Sequence, residues 1–205
     1  MTGGRSTPAS QERPPRERVV YAAAQHLRSA GPTAASLRAI VRDARAPWGS
    51  LRHYFPGGKE QILSEALAWS GGYAAADVAE YLQSADPTPG GLFVHLLDGW
   101  ARELKRCDFG RGCPVAAATL DPGEGTPGLT GATRTALDRW LTAIEHALSA
   151  MGVKGARSQA RSMLSMLEGA IIISRVQRST TALSELRQFA PHFDAAAQPD
   201  RCSGK

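Results

Sequence analysis

Apolar residues along this chain recur at intervals of three and four, and no stretch alternates long enough to make a useful strand. That periodicity restricts the fold to packed helices, and glycine and proline mark where each helix stops. Pro14 and Pro15 suit a first helical turn, and Val20, Ala23, Ala24 and Leu27 follow at helical spacing until Gly31-Pro32. Ser36 is placed to cap a short second helix with Leu37, Ile40 and Val41 inward. Pro47 breaks the chain, and a third short helix runs from Leu51 to about Tyr54. Pro56-Gly57-Gly58 ends it, and Lys59 opens a long fourth helix reaching about residue 83. Asp86 to Gly91 reads as a linker or loop. Further helices are expected around Phe93 to Leu104, Leu137 to Leu148, Gly155 to Gln177 and Thr181 to Phe193. The segment Phe109 to Gly131 is cut by six glycines and three prolines around a short apolar stretch, Val115 to Leu120. The expected fold is all-α, with about nine helices.

Charge is distributed unevenly. Residues 1–70 carry ten Lys and Arg against five Asp and Glu, whereas residues 71–205 carry fourteen of each, so the net +5 resides in the first third. A basic module joined to a neutral one points to a polyanion-binding part and a part with another task. The longest strongly apolar run, Ala170 to Ser174, is far shorter than the roughly 20 residues that span a bilayer. With no apolar leader in the first 18 residues, the chain reads as cytoplasmic and without a membrane role. Cys107, Cys113 and Cys202 form neither a disulfide framework nor a zinc spacing, so no metal and no cofactor is expected.

The stretch Ser36 to Lys59, SLRAIVRDARAPWGSLRHYFPGGK, concentrates the functional signal. Two short helices joined by a tight turn at Arg45 to Pro47 make a helix-turn-helix. In that motif the first helix packs through Leu37, Ile40 and Ala44 and holds the second rigidly. The second buries Leu51 and Phe55 and leaves its other face to the major groove. Trp48, Gly49, Ser50, Arg52 and His53 are the exposed candidates. Gly49 permits close backbone approach, Arg52 suits a phosphate or a guanine edge, and Trp48 can pack on a thymine methyl or a sugar. Lys59, at the start of the fourth helix, suits a phosphate.

The run GSLRHYFPGGKEQIL, behind a basic first helix, resembles the DNA-binding domain of the TetR family of transcriptional regulators. Gly49, Leu51, Tyr54, Phe55, Lys59 and Glu60 carry the match. RAP together with FPGGKEQ, and GCPVAA at Gly112 to Ala117, resemble the subgroup with LmrA/YxaF-like C-terminal domains. The resemblance implies phosphate contacts from Ser36, Tyr54 and Lys59, and base or groove contacts from Trp48, Gly49, Ser50, Arg52 and His53. Two positions depart from the family pattern. Arg52 replaces the usual tyrosine. Arg45 replaces the usual turn glycine, at a cost on the order of 1 kcal/mol if the position needs a positive φ, unless the turn is built differently.

Polar, aperiodic composition marks the two ends of the chain as loose, and the resemblance implies the domain plan between them. A loose arm (1–13) precedes a helix-turn-helix domain (14–60), a C-terminal ligand-binding and dimerisation domain (61–195) and a flexible tail (196–205). Two helices of each copy would form the homodimer, with Leu164, Ile171, Arg175, Leu183, Leu186 and Phe189 as its face. A small-molecule effector would enter among Phe93, Leu97, Trp100, Cys113, Trp140, Ile144, Met163, Met166 and Leu167 and move the two DNA-reading heads on a double-stranded operator. Glu168, a charge within an apolar helix, is expected to pair with Arg175 or Arg161 or else to reach a ligand. The leading function is a repressor released by a small, mostly apolar effector. A DNA-binding adaptor or an activator without a ligand is the alternative. An enzyme is not expected, because His26, His53, His95, His146 and His192 are scattered and no nucleophile elbow or phosphate loop is visible.

Overall fold

The computed structural model describes residues 13–121 and 126–197. The expected arm and tail lie outside the described residues, except for Arg13, Ala196 and Ala197, and so does Cys202. The helices are α1 (Pro15–Ala34), α2 (Leu37–Asp43), a 3-10 turn (Trp48–Ser50) leading into α3 (Leu51–Tyr54), α4 (Gly58–Leu82), α5 (Pro89–Arg106), α6 (Pro114–Leu120), α7 (Leu129–Ala150) and α8 (Ala156–Gln177). The last run is irregular: α9 (Thr181–Glu185), a 3-10 turn (Leu186–Phe189) and α10 (Ala190–Ala195). With that run counted once, the described residues form nine helices and no strand.

The chain divides into two compact units that do not follow its linear order. The first comprises the residues up to Ser70 together with Pro114–Ala136, and the second comprises Gly71–Cys113 and the residues from Leu137 onward. In the first unit, α1 packs on both α2 and α6. Val19, Ala23, Ala24, Leu27, Ile40, Phe55, Ile62, Leu63 and Leu67 are all sealed from solvent. Burial of the valine, leucine, isoleucine and phenylalanine side chains among these is worth roughly 1.5–3 kcal/mol each and holds the short helices, which are too short to stand alone. Regular geometry in α1 stops before Gly31, whose φ of 76° and ψ of 173° turn the chain ahead of Pro32.

The second unit is built on α5, which packs on α8, α9 and α10. The linker expected at Asp86 to Gly91 is shorter than its composition suggests. Pro89 takes the first helical position, and the Thr88 hydroxyl accepts from Gly91 N–H at 3.0 Å, so Gly90 and Gly91 lie inside α5. Asp194 accepts from Gly90 N–H at 2.7 Å, and the rings of Phe93 and Phe193 meet edge-on at 4.9 Å. These contacts fasten α10 over the start of α5.

Candidate nucleic-acid interface

The reading surface depends on how the turn after α2 is held. Arg18 of α1 does most of this. Its Nε donates to the Ala44 carbonyl at 2.9 Å, its Nη2 to the Arg45 carbonyl at 3.0 Å and its Nη1 to the Arg13 carbonyl at 3.2 Å. Backbone bonds close the turn itself, from Ala46 N–H to Val41 O at 3.2 Å and from Ser50 N–H to Pro47 O at 3.1 Å. Asp43 accepts from Arg42 and His26, each at 2.9 Å, and the Arg42 guanidinium, followed by His26, holds its carboxyl below the usual range. Phe55 is 1% exposed, with the Arg16 guanidinium 5.0 Å above its ring. α3 is thereby anchored from beneath.

Arg45 stands at φ 48°, so the turn does need the left-handed conformation that glycine adopts without strain. Arg45→Gly is expected to stabilise the protein by about 1 kcal/mol, less the extra freedom of glycine in the unfolded chain. Chemical denaturation reads this directly, and a destabilised variant would show that the Arg45 side chain contributes contacts outweighing the strain.

Trp48 is 56% exposed, and Gly49, Arg52 and His53 are exposed beside it. Ser50 and Tyr54 are half-buried, with the His53 and Tyr54 rings 5.6 Å apart. Leu51, expected in the core, is only half-buried, and Phe55 alone seals the base of this helix. Ser36 occupies the N-cap position of α2, but its hydroxyl makes no cap bond and the residue is exposed. Lys59 is half-buried, and its Nζ donates to the Thr33 carbonyl at 3.3 Å, three residues before Ser36. One of the three ammonium donors is used there. Arg18 escaped the reading of the sequence, because nothing in its spacing separates a turn clamp from a solvated arginine.

In the second unit, Phe93, Leu97, Cys113, Trp140, Ile144, Met163 and Leu167 are buried, and Trp100 and Met166 are half-buried. Glu168 does not form the expected ion pair. Arg175 instead donates to the carbonyls of Phe109 and Gly110, both at 3.4 Å. Glu168 Oε2 is buried without a hydrogen-bond partner, as is Trp140 Nε1. Burial pushes the Glu168 carboxyl up, and a hydrogen bond from Cys113 opposes this only in part.

The face of α8 turned away from the core also departs from expectation. Leu164, Ile171 and Leu183 are 1–4% exposed and serve the core of their own unit. Leu186 is half-buried and Arg175 is committed as above. On α8 and the final helical run, the large apolar side chains left on the surface are Ile172 (51% exposed), Ile173 (48%), Val176 (81%) and Phe189 (41%). The adjacent isoleucines with Val176 one turn on were the missed signal.

A basic first helix, a buttressed turn and an exposed short helix define a helix-turn-helix protein with a helical C-terminal module. The chain belongs to the TetR family of HTH-type transcriptional regulators, in the subgroup whose C-terminal domain is LmrA/YxaF-like. The profile described as "Transcriptional regulator LmrA/YxaF-like, C-terminal domain" matches residues 89–188. An HTH-type transcriptional regulator of Mycobacterium tuberculosis is 33% identical over 196 residues, covering 91% of this chain and 97% of that protein. The HTH-type transcriptional regulator LmrA of Bacillus subtilis is 27% identical, covering 86% and 94%. Among solved structures, the regulatory protein TetR from Rhodobacter sphaeroides superposes with a TM-score of 0.74 at 20% identity, covering 86% of this chain and 97% of that one. Reduced NemR of E. coli gives 0.70 at 19% identity, covering 91% and 100%. These two likenesses are of fold. Among the described residues no helix is long and apolar enough to cross a membrane.

Proposed function

We propose that this DNA-binding regulator is a homodimeric repressor that a small, mostly apolar effector releases from its operator. The observation that carries the DNA-reading part is the exposed row Trp48, Gly49, Arg52 and His53 on a helix whose turn is clamped by Arg18. In this reading Ser36, Tyr54 and Lys59 hold phosphates, while Trp48, Gly49, Ser50, Arg52 and His53 meet the groove. Arg52 reaches further than the family's tyrosine and can fork onto guanine O6 and N7.

A single short helix gives poor affinity, and two heads on half-sites roughly 34–36 Å apart correct this. The surface apolar residues Ile172, Ile173, Val176 and Phe189 support α8 and the final helical run as the face between copies. Gly169 lies on the same side of α8, with open space where a side chain would begin. A second helix can approach closely there. The domain division favoured here assigns DNA reading to the first unit and pairing and effector binding to the second.

The effector site is drawn from Phe93, Leu97, Trp100, Cys113, Trp140, Ile144, Met163, Met166 and Leu167. The unsatisfied Glu168 oxygen and Trp140 N–H favour a ligand over the adaptor reading, because buried polar groups left unpaired cost free energy that a bound partner recovers. Such an effector is apolar in bulk, with a donor for the carboxyl and an acceptor for the indole. Its preference for the released state is of the usual size, about 1–3 kcal/mol.

Footprinting on the DNA flanking the protein's own gene tests the reading. Lys59→Ala should weaken binding on every duplex and lower the salt dependence by about one ion per head. An unchanged slope would remove Lys59 from the phosphate contacts.

A further inference from the structure

Residues 114–136 lie far from the helix-turn-helix in sequence, yet they belong to the same compact unit. Three hydrogen bonds form two tethers on this segment, two bonds before residues 122–125 and one after them. Asp121, just beyond α6, accepts from Thr33 N–H through Oδ2 at 2.8 Å and from the Thr33 hydroxyl through Oδ1 at 2.5 Å. Gly128 N–H donates to Glu60 Oε1 at 3.1 Å. Both tethers converge on Lys59: the carbonyl of Thr33 accepts from its ammonium, and Glu60 is the next residue.

We propose that Asp121 is a positioning residue for DNA binding. By gripping Thr33 at two atoms it fixes the 31–36 segment. The Thr33 carbonyl then aims the Lys59 ammonium, and the same segment delivers Ser36 to the start of α2. The inference rests on the reading of Lys59 as a phosphate contact. It attributes to a carboxylate an effect opposite to that of its charge. A negative group near bound DNA repels phosphate, so on charge alone its removal would tighten binding. Positioning requires the reverse.

The test uses the full chain and a duplex selected from random-sequence DNA by the wild-type protein. Asp121→Ala should bind about tenfold more weakly, as expected for the loss of a charge-assisted contact. Its salt slope should fall by about one ion per head, matching Lys59→Ala. The double variant Asp121→Ala with Lys59→Ala should lose clearly less than the sum of the two single losses, because both act on the Lys59 contact. Asp121→Asn keeps an acceptor for Thr33 N–H and should stay close to wild type. If Asp121→Ala does not fold by circular dichroism, Thr33→Val removes the hydroxyl bond alone and should show a smaller change of the same sign.

Tighter binding by Asp121→Ala, or losses that simply add in the double variant, would overturn the assignment of Asp121 while leaving Lys59 in place. A wild-type protein that selects no duplex, or a Lys59→Ala slope equal to wild type, would instead overturn the underlying reading and the proposal with it.

Discussion

Val176→Glu is expected to leave each chain folded and to abolish its pairing. Val176 is 81% exposed, with Ile172 one turn before it and Ile173 beside them. Substitution at so open a position changes the folding free energy by about 0.5 kcal/mol or less. In a two-fold interface, however, every substitution is met twice, and each carboxylate would be buried against apolar surface without a partner. Sedimentation should then show monomers where the wild type is expected to give dimers. DNA affinity should fall at least about a hundredfold, because the second head no longer binds at the effective concentration set by the first. Thermal melting of the monomer by circular dichroism controls for misfolding. A variant that remains dimeric would show that the copies meet through a different face.

Gly31→Ala should be strongly destabilising. Its backbone lies at φ 76° and ψ 173°, a region that is essentially glycine-only and costs other residues roughly 1–3 kcal/mol. A Cβ there would also sit 2.7 Å from Asp121 Oδ2, so the carboxylate would have to move off Thr33. Together these should cost about 3 kcal/mol and lower the melting temperature by roughly 6–12 °C. Gly58→Ala is the matched control. Gly58 has φ 63° but open space around its missing side chain, so only backbone strain of about 1 kcal/mol applies. If the two variants melt alike, the Asp121 collision is not what makes Gly31 necessary.

The sequence revealed local punctuation well and long-range pairing poorly. Gly31-Pro32, Pro47 and Pro56-Gly57-Gly58 each act on their own few residues, and the chain breaks at all three. The strained turn was legible too, because an arginine in place of a glycine changes the energy of one φ angle. The α8 surface was harder to read. From Met163 to Val176 that helix is apolar on two opposite sides, so periodicity could not say which stripe its own unit would bury. It placed Leu164 and Ile171 on the surface meant for a second copy, and the core took both. Ser36 looked like a cap, yet its hydroxyl bonds nothing in α2. Of the partners open to Glu168 in the sequence, Arg175, Arg161 or a ligand, the first is held instead by two backbone carbonyls. Asp121 meets Thr33 across 88 positions, and no local pattern encodes that partner.

The two bonds that Arg18 makes to the turn reach beyond stability. A reading head soldered at its turn has little freedom to follow an irregular duplex. Adaptation then falls to the nucleic acid, whose bending and groove-width costs depend on base steps that no side chain touches. Target sites would be sorted by their stiffness as well as by their lettering.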